Sequence, residues 1–244
     1  VQENQRVSDV DGANMNRVFP GDPDGGPTHA VAHFVESEIL PMCDVAMDLH
    51  SGGAPSRYLP CGYVRKGGNE ELRKRKLLAT EAFAAPVTVV VFSTASTGSL
   101  SAACDRNDVA MVAAELGGAN SVTKEALQIG THGVYRVLRH TKILAPDKAD
   151  DSRPKTKFVT YPDSSSMTMA SANGLFEPYC RLGETVVAGQ PAGCIHPLEA
   201  PDRDPVEVKF NRDGMIVAAR IRAPVKRGDN VFNVAVSIDR DQLI

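Results

Sequence analysis

Three short apolar runs stand out along the first part of the chain. They are rich in Val, Ala and Met, and each is followed by polar or glycine residues. Runs of this length and composition are typical of strands that are buried in a parallel sheet. They lie at residues 43–53, 87–93 and 109–118.

Stretches with helical periodicity separate these runs. Thr28, Asn69 and Thr123 each precede such a stretch, and their side chains can accept a backbone N–H of the first helical turn. The predicted helical segments cover residues 28–40, 69–85, 99–107 and 123–140. The alternation of strand and helix predicts an α/β fold, with a sheet flanked by helices.

The pattern changes after Pro146, where a charged stretch breaks the periodicity. Beyond it, short apolar runs are punctuated by glycine, and no convincing helix follows. We therefore place a domain boundary there, between residues 1–150 and 151–244. Residues 174–197 and 214–236 share the order strand, Gly-charged turn, Val, strand. This internal repeat predicts a small all-β domain, a barrel or a sandwich.

Composition narrows the class of protein. The formal net charge of −3 comes from intermixed acids and bases, so no nucleic-acid partner is expected. The longest apolar stretch, residues 82–92, is far shorter than the roughly 20 residues that span a bilayer. Five cysteines without a CxxC pair predict reduced thiols in a cytoplasmic protein. Because the chain opens with Val1 and a polar stretch, we also expect it to begin inside a longer protein.

Two of the predicted strands end in the same way. Each apolar run is followed by His50 or Glu115 and then by glycines, which let another group approach the backbone closely. Carboxyl ends of parallel strands are where α/β folds place their sites. A neutral imidazole can bind zinc and a carboxylate can take a proton from water, so the pair suggests a metal ligand and a general base. The alternative is a hydrogen-bonded histidine and an ordinary paired carboxylate.

A third candidate is the loop at residues 12–21, where Asn16 and Arg17 stand side by side. Arginine offers a planar fork that matches a carboxylate, and asparagine can add a donor. The alternative is a surface loop stabilised by Asn side-chain turns.

In this order, NMNRVFPG, DLHSGG and AELGG resemble the succinylglutamate desuccinylase and aspartoacylase family, relatives of the zinc carboxypeptidases. The resemblance implies a zinc-carboxypeptidase-like mixed sheet flanked by helices and followed by a β domain. It implies zinc-dependent hydrolysis of the amide bond of a small N-acyl amino acid. The HSGG and AELGG forms look closer to bacterial N-acetyl-diaminobutyrate deacetylases than to mammalian aspartoacylase.

The same resemblance implies a role for each matching residue. His50 would be the last zinc ligand, Glu115 the general acid and base, and Asn16 and Arg17 the binding groups for the substrate carboxylate. Arg6 is a looser match to the arginine that polarises the scissile carbonyl. The family's other two ligands form a His-x-x-Glu motif ahead of the Asn-Arg loop, which this sequence lacks there. Related enzymes are often multimers, so the resemblance admits a homo-oligomer.

The other histidines are weaker candidates. His29 and His33 are spaced i, i+4 and could share a helix face that binds metal, but their helix follows the Asn-Arg loop, so a solvated pair is expected. His132 and His140 are expected to be solvated as well, and His196 to make a turn hydrogen bond.

Three rival functions stay open at this point. A peptide carboxypeptidase would also use the Asn-Arg loop. A biotinyl or lipoyl carrier would fit the β domain, but the candidate turn at residues 198–204 has no lysine to modify. A metal-free relative would fit the single expected ligand.

Overall fold

The computed structural model describes residues 6–93, 96–147 and 155–244. The helices are α1 (Pro27–Phe34), α2 (Glu70–Phe83), α3 (Leu100–Arg106) and α4 (Lys124–His140). The strands of the first part are β1 (Val45–His50), β2 (Ser56–Tyr58), β3 (Cys61–Arg65), β4 (Val87–Val91) and β5 (Ala110–Glu115). Those of the second part are β6 (Lys157–Thr160), β7 (Met167–Met169), β8 (Gly174–Pro178), β9 (Thr185–Val186), β10 (Pro191–His196), β11 (Val206–Lys209), β12 (Gly214–Arg220), β13 (Pro224–Val225) and β14 (Asn230–Ser237).

All five strands of the first part lie in a large mixed sheet flanked by helices, which confirms the predicted fold class. Its order is β1-β5-β3-β4-β6-β14-β12-β2, with β7 paired to β14 and β9 to β12. The pairs β1–β5, β3–β4 and β4–β6 are parallel, whereas β3 runs antiparallel to β5. The predicted strands correspond to β1, β4 and β5. Of these, β4 and β5 are mostly buried, but β1 lies at an edge of the described sheet and is only half-buried.

Local capping chemistry sets the start of three helices, and the sequence predicted two of these caps, Asn69 and Thr123. Asn69 Oδ1 accepts from the N–H of Leu72 at 2.8 Å at the start of α2. Thr123 caps α4 in the same way, and Ser99 caps α3. Each bond satisfies a backbone donor that a helix leaves without an internal partner.

The first helix differs from its prediction. It begins at Pro27 with Gly26 as its N-cap, and it continues through a π-helical turn, Val35–Ile39, and a 3-10 turn, Leu40–Met42. Thr28 does not cap it, because its hydroxyl donates to Asp11 Oδ1 at 2.8 Å. The contact instead joins the helix to the loop that precedes it.

The second part of the chain is all-β, as predicted. It adds strands to the large sheet and forms a separate antiparallel sheet in the order β11-β10-β8-β13. The two repeated segments each supply an antiparallel pair, β8–β10 and β12–β14. Phe176, Phe210 and Phe232 pack together between them, with ring centroids 5.8 and 5.5 Å apart. The predicted boundary near residue 150 falls outside the described residues. In the described parts of the chain, no helix has the length and apolar character that crossing a membrane requires.

Candidate active site

His50 and Glu115 are the last residues of two neighbouring parallel strands. The register of β1 and β5 begins with Val45 opposite Ala110 and places His50 directly opposite Glu115. Side chains at paired positions of a ladder lie on the same face of the sheet. The two residues that the sequence analysis singled out are therefore neighbours.

The glycines that follow these strands allow two backbone segments to approach each other. The N–H of Gly52 donates to the carbonyl of Gly117 at 3.0 Å. Gly118 has φ of 143° and lies against the carbonyl of Ser56, where a Cβ would collide. From the sequence, these glycines were predicted to let a ligand approach, whereas their contacts join one strand-end loop to the other.

A 3-10 turn, Met15–Arg17, carries the predicted carboxylate-binding pair. Asn16 Oδ1 accepts from the N–H of Leu100 at 2.8 Å, which ties the turn to the start of α3. The Nδ2 atom of Asn16 lies 3.3 Å from His50 Nε2. Arg17 donates to the carbonyl of Asn16 at 2.5 Å. These bonds hold the pair beside the end of β1.

A cavity of about 440 Å³ opens at this edge of the sheet, a size that suits a small molecule. Four of the predicted site residues line it: Asn16, Arg17, His50 and Glu115. Arg6, the fifth, is exposed and is not among the lining residues. Its positive charge still acts on Glu115, whose pKa it lowers slightly.

Glu115 is the most perturbed acid of the cavity. Burial raises its pKa to about 7, and the negative charge of Asp48 adds to the rise. The charges of His50 and Arg6 oppose it. The Oε2 atom of Glu115 is buried without a hydrogen-bond partner among the described residues. A buried carboxyl with a free oxygen and a pKa near neutrality can exchange protons with a bound substrate.

His50 is paired with a second carboxylate. Its Nε2 atom lies 2.7 Å from Asp48 Oδ2, and this hydrogen bond is the main reason that the pKa of His50 is raised. Asp48, which was not among the predicted site residues, lies two residues earlier on the same face of β1.

Comparison with known proteins identifies the family. The model of the succinylglutamate desuccinylase/aspartoacylase catalytic domain matches residues 1–141, which is more than half of the 244-residue chain. The chain belongs to this family of deacylases. The resemblance drawn from the three sequence motifs is thereby confirmed.

Individual relatives of this deacylase match it over nearly its whole length. The N-alpha-acetyl-L-2,4-diaminobutyric acid deacetylase of Halomonas elongata is 32% identical over 235 residues, 96% of this chain and 68% of the relative. The crystal structure of a succinylglutamate desuccinylase/aspartoacylase from Rhodobacter sphaeroides matches with a TM-score of 0.88 and 33% identity, over 97% of this chain and 72% of that one. The product-bound ectoine utilization protein of Ruegeria pomeroyi matches with a TM-score of 0.90 and 31% identity, over 96% and 71%.

The deacylase cavity fits a zinc ion in type of ligand but not in number. A neutral imidazole and carboxylates are ligands that zinc takes, and His50, Asp48 and Glu115 offer them. Over the described ranges, however, this cavity brings together no group of three His, Cys, Asp or Glu side chains spaced for a metal ion. His50 therefore fits as one ligand, and the described residues around it do not complete a three-ligand site.

Arg65 also lines the cavity of this deacylase, and the sequence analysis did not single it out. It ends β3 and donates to the carbonyl of Ser96 at 2.8 Å. Its Nε lies 3.8 Å from Asp105 Oδ2, and Asp105 also forms an ion pair with Lys76, of which 1% is exposed. The lysine donates as well to the carbonyl of Gly67 at 3.1 Å. The sequence feature that could have identified Arg65 is that residues 61–65 form another short apolar run with a charged residue at its end.

Proposed function

We propose that this deacylase is a zinc-dependent amidohydrolase that cleaves the linear amide bond of a small N-acyl amino acid. The observation that carries the proposal is the buried carboxyl of Glu115, which has a free oxygen and lies beside His50 in a cavity of small-molecule size. Arg17 and Asn16 line the same cavity. One bound molecule can thus meet an anion-binding group and a proton-transferring group together.

The substrate carboxylate is proposed to bind Arg17 and Asn16. A guanidinium can make two parallel hydrogen bonds to a carboxylate, and the amide Nδ2 of Asn16 can add a third. Since the Oδ1 oxygen of that amide accepts from the N–H of Leu100, its nitrogen stays on the cavity side near His50. Arg65 places a further cation on the wall of the cavity.

Proton transfer is proposed for Glu115. With a pKa of about 7, the carboxyl is present in both protonation states at neutral pH. It can accept a proton from the attacking water and return that proton to the leaving amine, which yields a carboxylic acid and an amino acid. The proposed role of Arg6 at the scissile carbonyl stays a prediction, because this exposed side chain does not line the cavity.

Zinc is proposed as the cofactor, with His50 among its ligands. When bound, it would supply Lewis-acid activation of the acyl carbonyl and of the attacking water. The hydrogen bond to Asp48 raises the pKa of His50, so a proton competes with metal for this imidazole more strongly than for an ordinary histidine. We therefore expect zinc occupancy to fall as the pH falls.

The Halomonas relative is named for an N-acetylated diamino acid, and the same class of small N-acyl amino acid is proposed here. The acyl group and the side chain of that amino acid stay to be measured. A cytoplasmic location and self-association, both expected from the sequence, also stay predictions.

The test compares N-acyl amino acids with peptides. Release of free amine is measured for N-acetyl-diaminobutyrate, other N-acetyl amino acids and a peptide with a free carboxyl end, with zinc added. The proposal expects release from an N-acyl amino acid. Faster cleavage of the peptide would favour a carboxypeptidase instead.

The matched variants are Glu115→Gln and Glu125→Gln, the second on the exposed start of α4. We expect Glu115→Gln to lower kcat by about 10²- to 10⁴-fold, with zinc per chain unchanged, because the carboxyl moves protons and is not proposed as a ligand. Glu125→Gln should keep the full rate. A wild-type rate in Glu115→Gln would remove this residue from the mechanism.

A further inference from the structure

A second group of metal-binding side chains lies on the small antiparallel sheet, apart from the cavity. Strands β8 and β10 are antiparallel neighbours, and their register places Cys194 directly opposite Glu177. His196 follows two residues later on β10, so it lies on the same face as Cys194. None of these three residues lines the catalytic cavity.

The three potential ligand atoms are already close together. His196 Nε2 lies 2.8 Å from Glu177 Oε2. Cys194 Sγ lies 3.4 Å from that nitrogen and 3.5 Å from that oxygen. The sequence analysis expected a turn hydrogen bond for His196, but this residue ends a strand and contacts a side chain across the sheet.

Packing on the other face of the sheet holds the group in place. Phe176 and Ile195, which alternate with the three residues, are buried in the core of the all-β part. Cys194 is only 6% exposed, whereas the side chains of Glu177 and His196 are about half exposed, at 57% and 46%. The thiol is thus fixed at the base of the group, and the imidazole and the carboxylate flank it at the surface.

A surface ion pair between Glu177 and His196 would account for the 2.8 Å distance between their side chains. It would not account for the buried thiol of Cys194, which lies close to both groups. Tetrahedral zinc with ordinary bond lengths separates nitrogen and oxygen ligands by about 3.3 Å, and it separates sulfur from either by about 3.6 Å. The observed triangle of 2.8, 3.4 and 3.5 Å therefore needs only a small expansion along one edge.

We propose that Glu177, Cys194 and His196 form a second, structural metal site that takes a zinc-type divalent cation. Thiolate and imidazole ligands select zinc or cobalt over magnesium and calcium, which prefer oxygen. Three protein ligands leave the fourth position to water at this exposed surface. On binding, Cys194 releases its proton to solvent and the cation joins β8 to β10.

The environment supports a cation at this position. Glu207 on β11 lies opposite Cys194 on the side away from Glu177, so the thiol is flanked by an acidic residue on each neighbouring strand. Glu207 forms an ion pair with Lys209, whose Nζ atom lies 2.9 Å from Glu207 Oε1. Glu177, by contrast, contacts the imidazole of His196 and the thiol of Cys194 and forms no ion pair with a lysine or arginine among the described residues. A bound cation would balance its charge.

Cobalt(II) tests the inference independently of the proposed function, because thiolate coordination to cobalt gives a charge-transfer band in the near ultraviolet. The full chain is stripped of metal with a chelator and titrated with Co(II) at neutral pH. We expect the band to saturate at one cobalt per chain and to disappear when zinc displaces the cobalt. Absence of the band in the wild-type protein overturns the proposal.

Matched variants locate the site. Cys194→Ser should abolish the band, and His196→Ala and Glu177→Gln should weaken Co(II) binding, whereas Cys180→Ser should leave it unchanged because that half-buried thiol lies outside the group. His50→Ala should also leave the band unchanged, since it alters only the catalytic cavity. Circular dichroism checks that Cys194→Ser is folded, and the exposed Glu177→Gln variant gives the same information if it is not. A band that survives both Cys194→Ser and Glu177→Gln contradicts the assignment.

Discussion

Replacement of Glu115 by glutamine is expected to stabilise the folded chain above neutral pH while it removes activity. The carboxyl is largely buried at the cavity, and burial disfavours its charged form. Its Oε2 has no hydrogen-bond partner among the described residues, so no hydrogen bond to that atom offsets the cost of ionisation. Glutamine has nearly the same shape and stays neutral at every pH.

The magnitude follows from the two pKa values of Glu115. Its pKa rises from the ordinary 4.5 to about 7 on folding, so between these pH values the folded protein binds more protons than the unfolded protein. The free energy of unfolding therefore falls as the pH rises through this window, and the loss is complete above about pH 7. At about 1.4 kcal/mol per pH unit, the window corresponds to about 3 kcal/mol. The variant avoids this loss.

Urea unfolding at about pH 4.5 and about pH 8 measures the effect, with a chelator present so that no metal alters the carboxyl. Circular dichroism is the suitable signal because the chain contains no tryptophan. We expect the two proteins to differ little at the lower pH, and Glu115→Gln to be more stable by up to about 3 kcal/mol at the higher. Glu125→Gln, on an exposed helix start, should change stability by no more than about 0.5 kcal/mol at either pH. A pH-independent difference for Glu115→Gln would refute the reasoning.

Three further substitutions test separate parts of the structure. Arg17→Lys should raise KM about tenfold with kcat little changed, because lysine cannot bind a carboxylate with a planar fork. An unchanged KM would show that the substrate carboxylate binds elsewhere. Asp105→Ala should cost about 3 kcal/mol or more in urea unfolding, since it leaves the buried ammonium of Lys76 without its counter-charge, and a cost below about 1 kcal/mol would contradict this. Asn69→Ala should cost about 1 kcal/mol through the lost cap of α2, and no change would show that the cap is dispensable.

The helix starts could be predicted because their causes are local. Asn69 and Thr123 each accept an N–H three residues further on, so the sequence within one turn contains the whole signal. At α1 the same reasoning was wrong. Thr28 is engaged by Asp11, which is distant in sequence, and Gly26 takes the cap position instead.

Part of the candidate site could be predicted because a residue type coincides with a strand end. His50 and Glu115 met that condition, whereas Asn16 and Arg17 were singled out as an adjacent carboxylate-binding pair in a loop. Arg65 was missed because the run that carries it begins only three residues after β2 and was not recognised as a strand. Asp105, the ion-pair partner of that arginine, and Lys76, which also pairs with Asp105, come from two different helices, so no spacing in the sequence connects them.

The register between β1 and β5 is the part of the site that depends most on tertiary structure. Side chains alternate between the two faces of a sheet, so a slip of one residue would carry His50 to the face opposite Glu115. The loops after the strands oppose such a slip, because Gly52 bonds to Gly117 and a side chain at position 118 would collide with Ser56. The matching glycine pairs that made the two motifs recognisable therefore also fix the alignment of the two strands. This alignment places the proposed zinc ligand and the proposed base side by side.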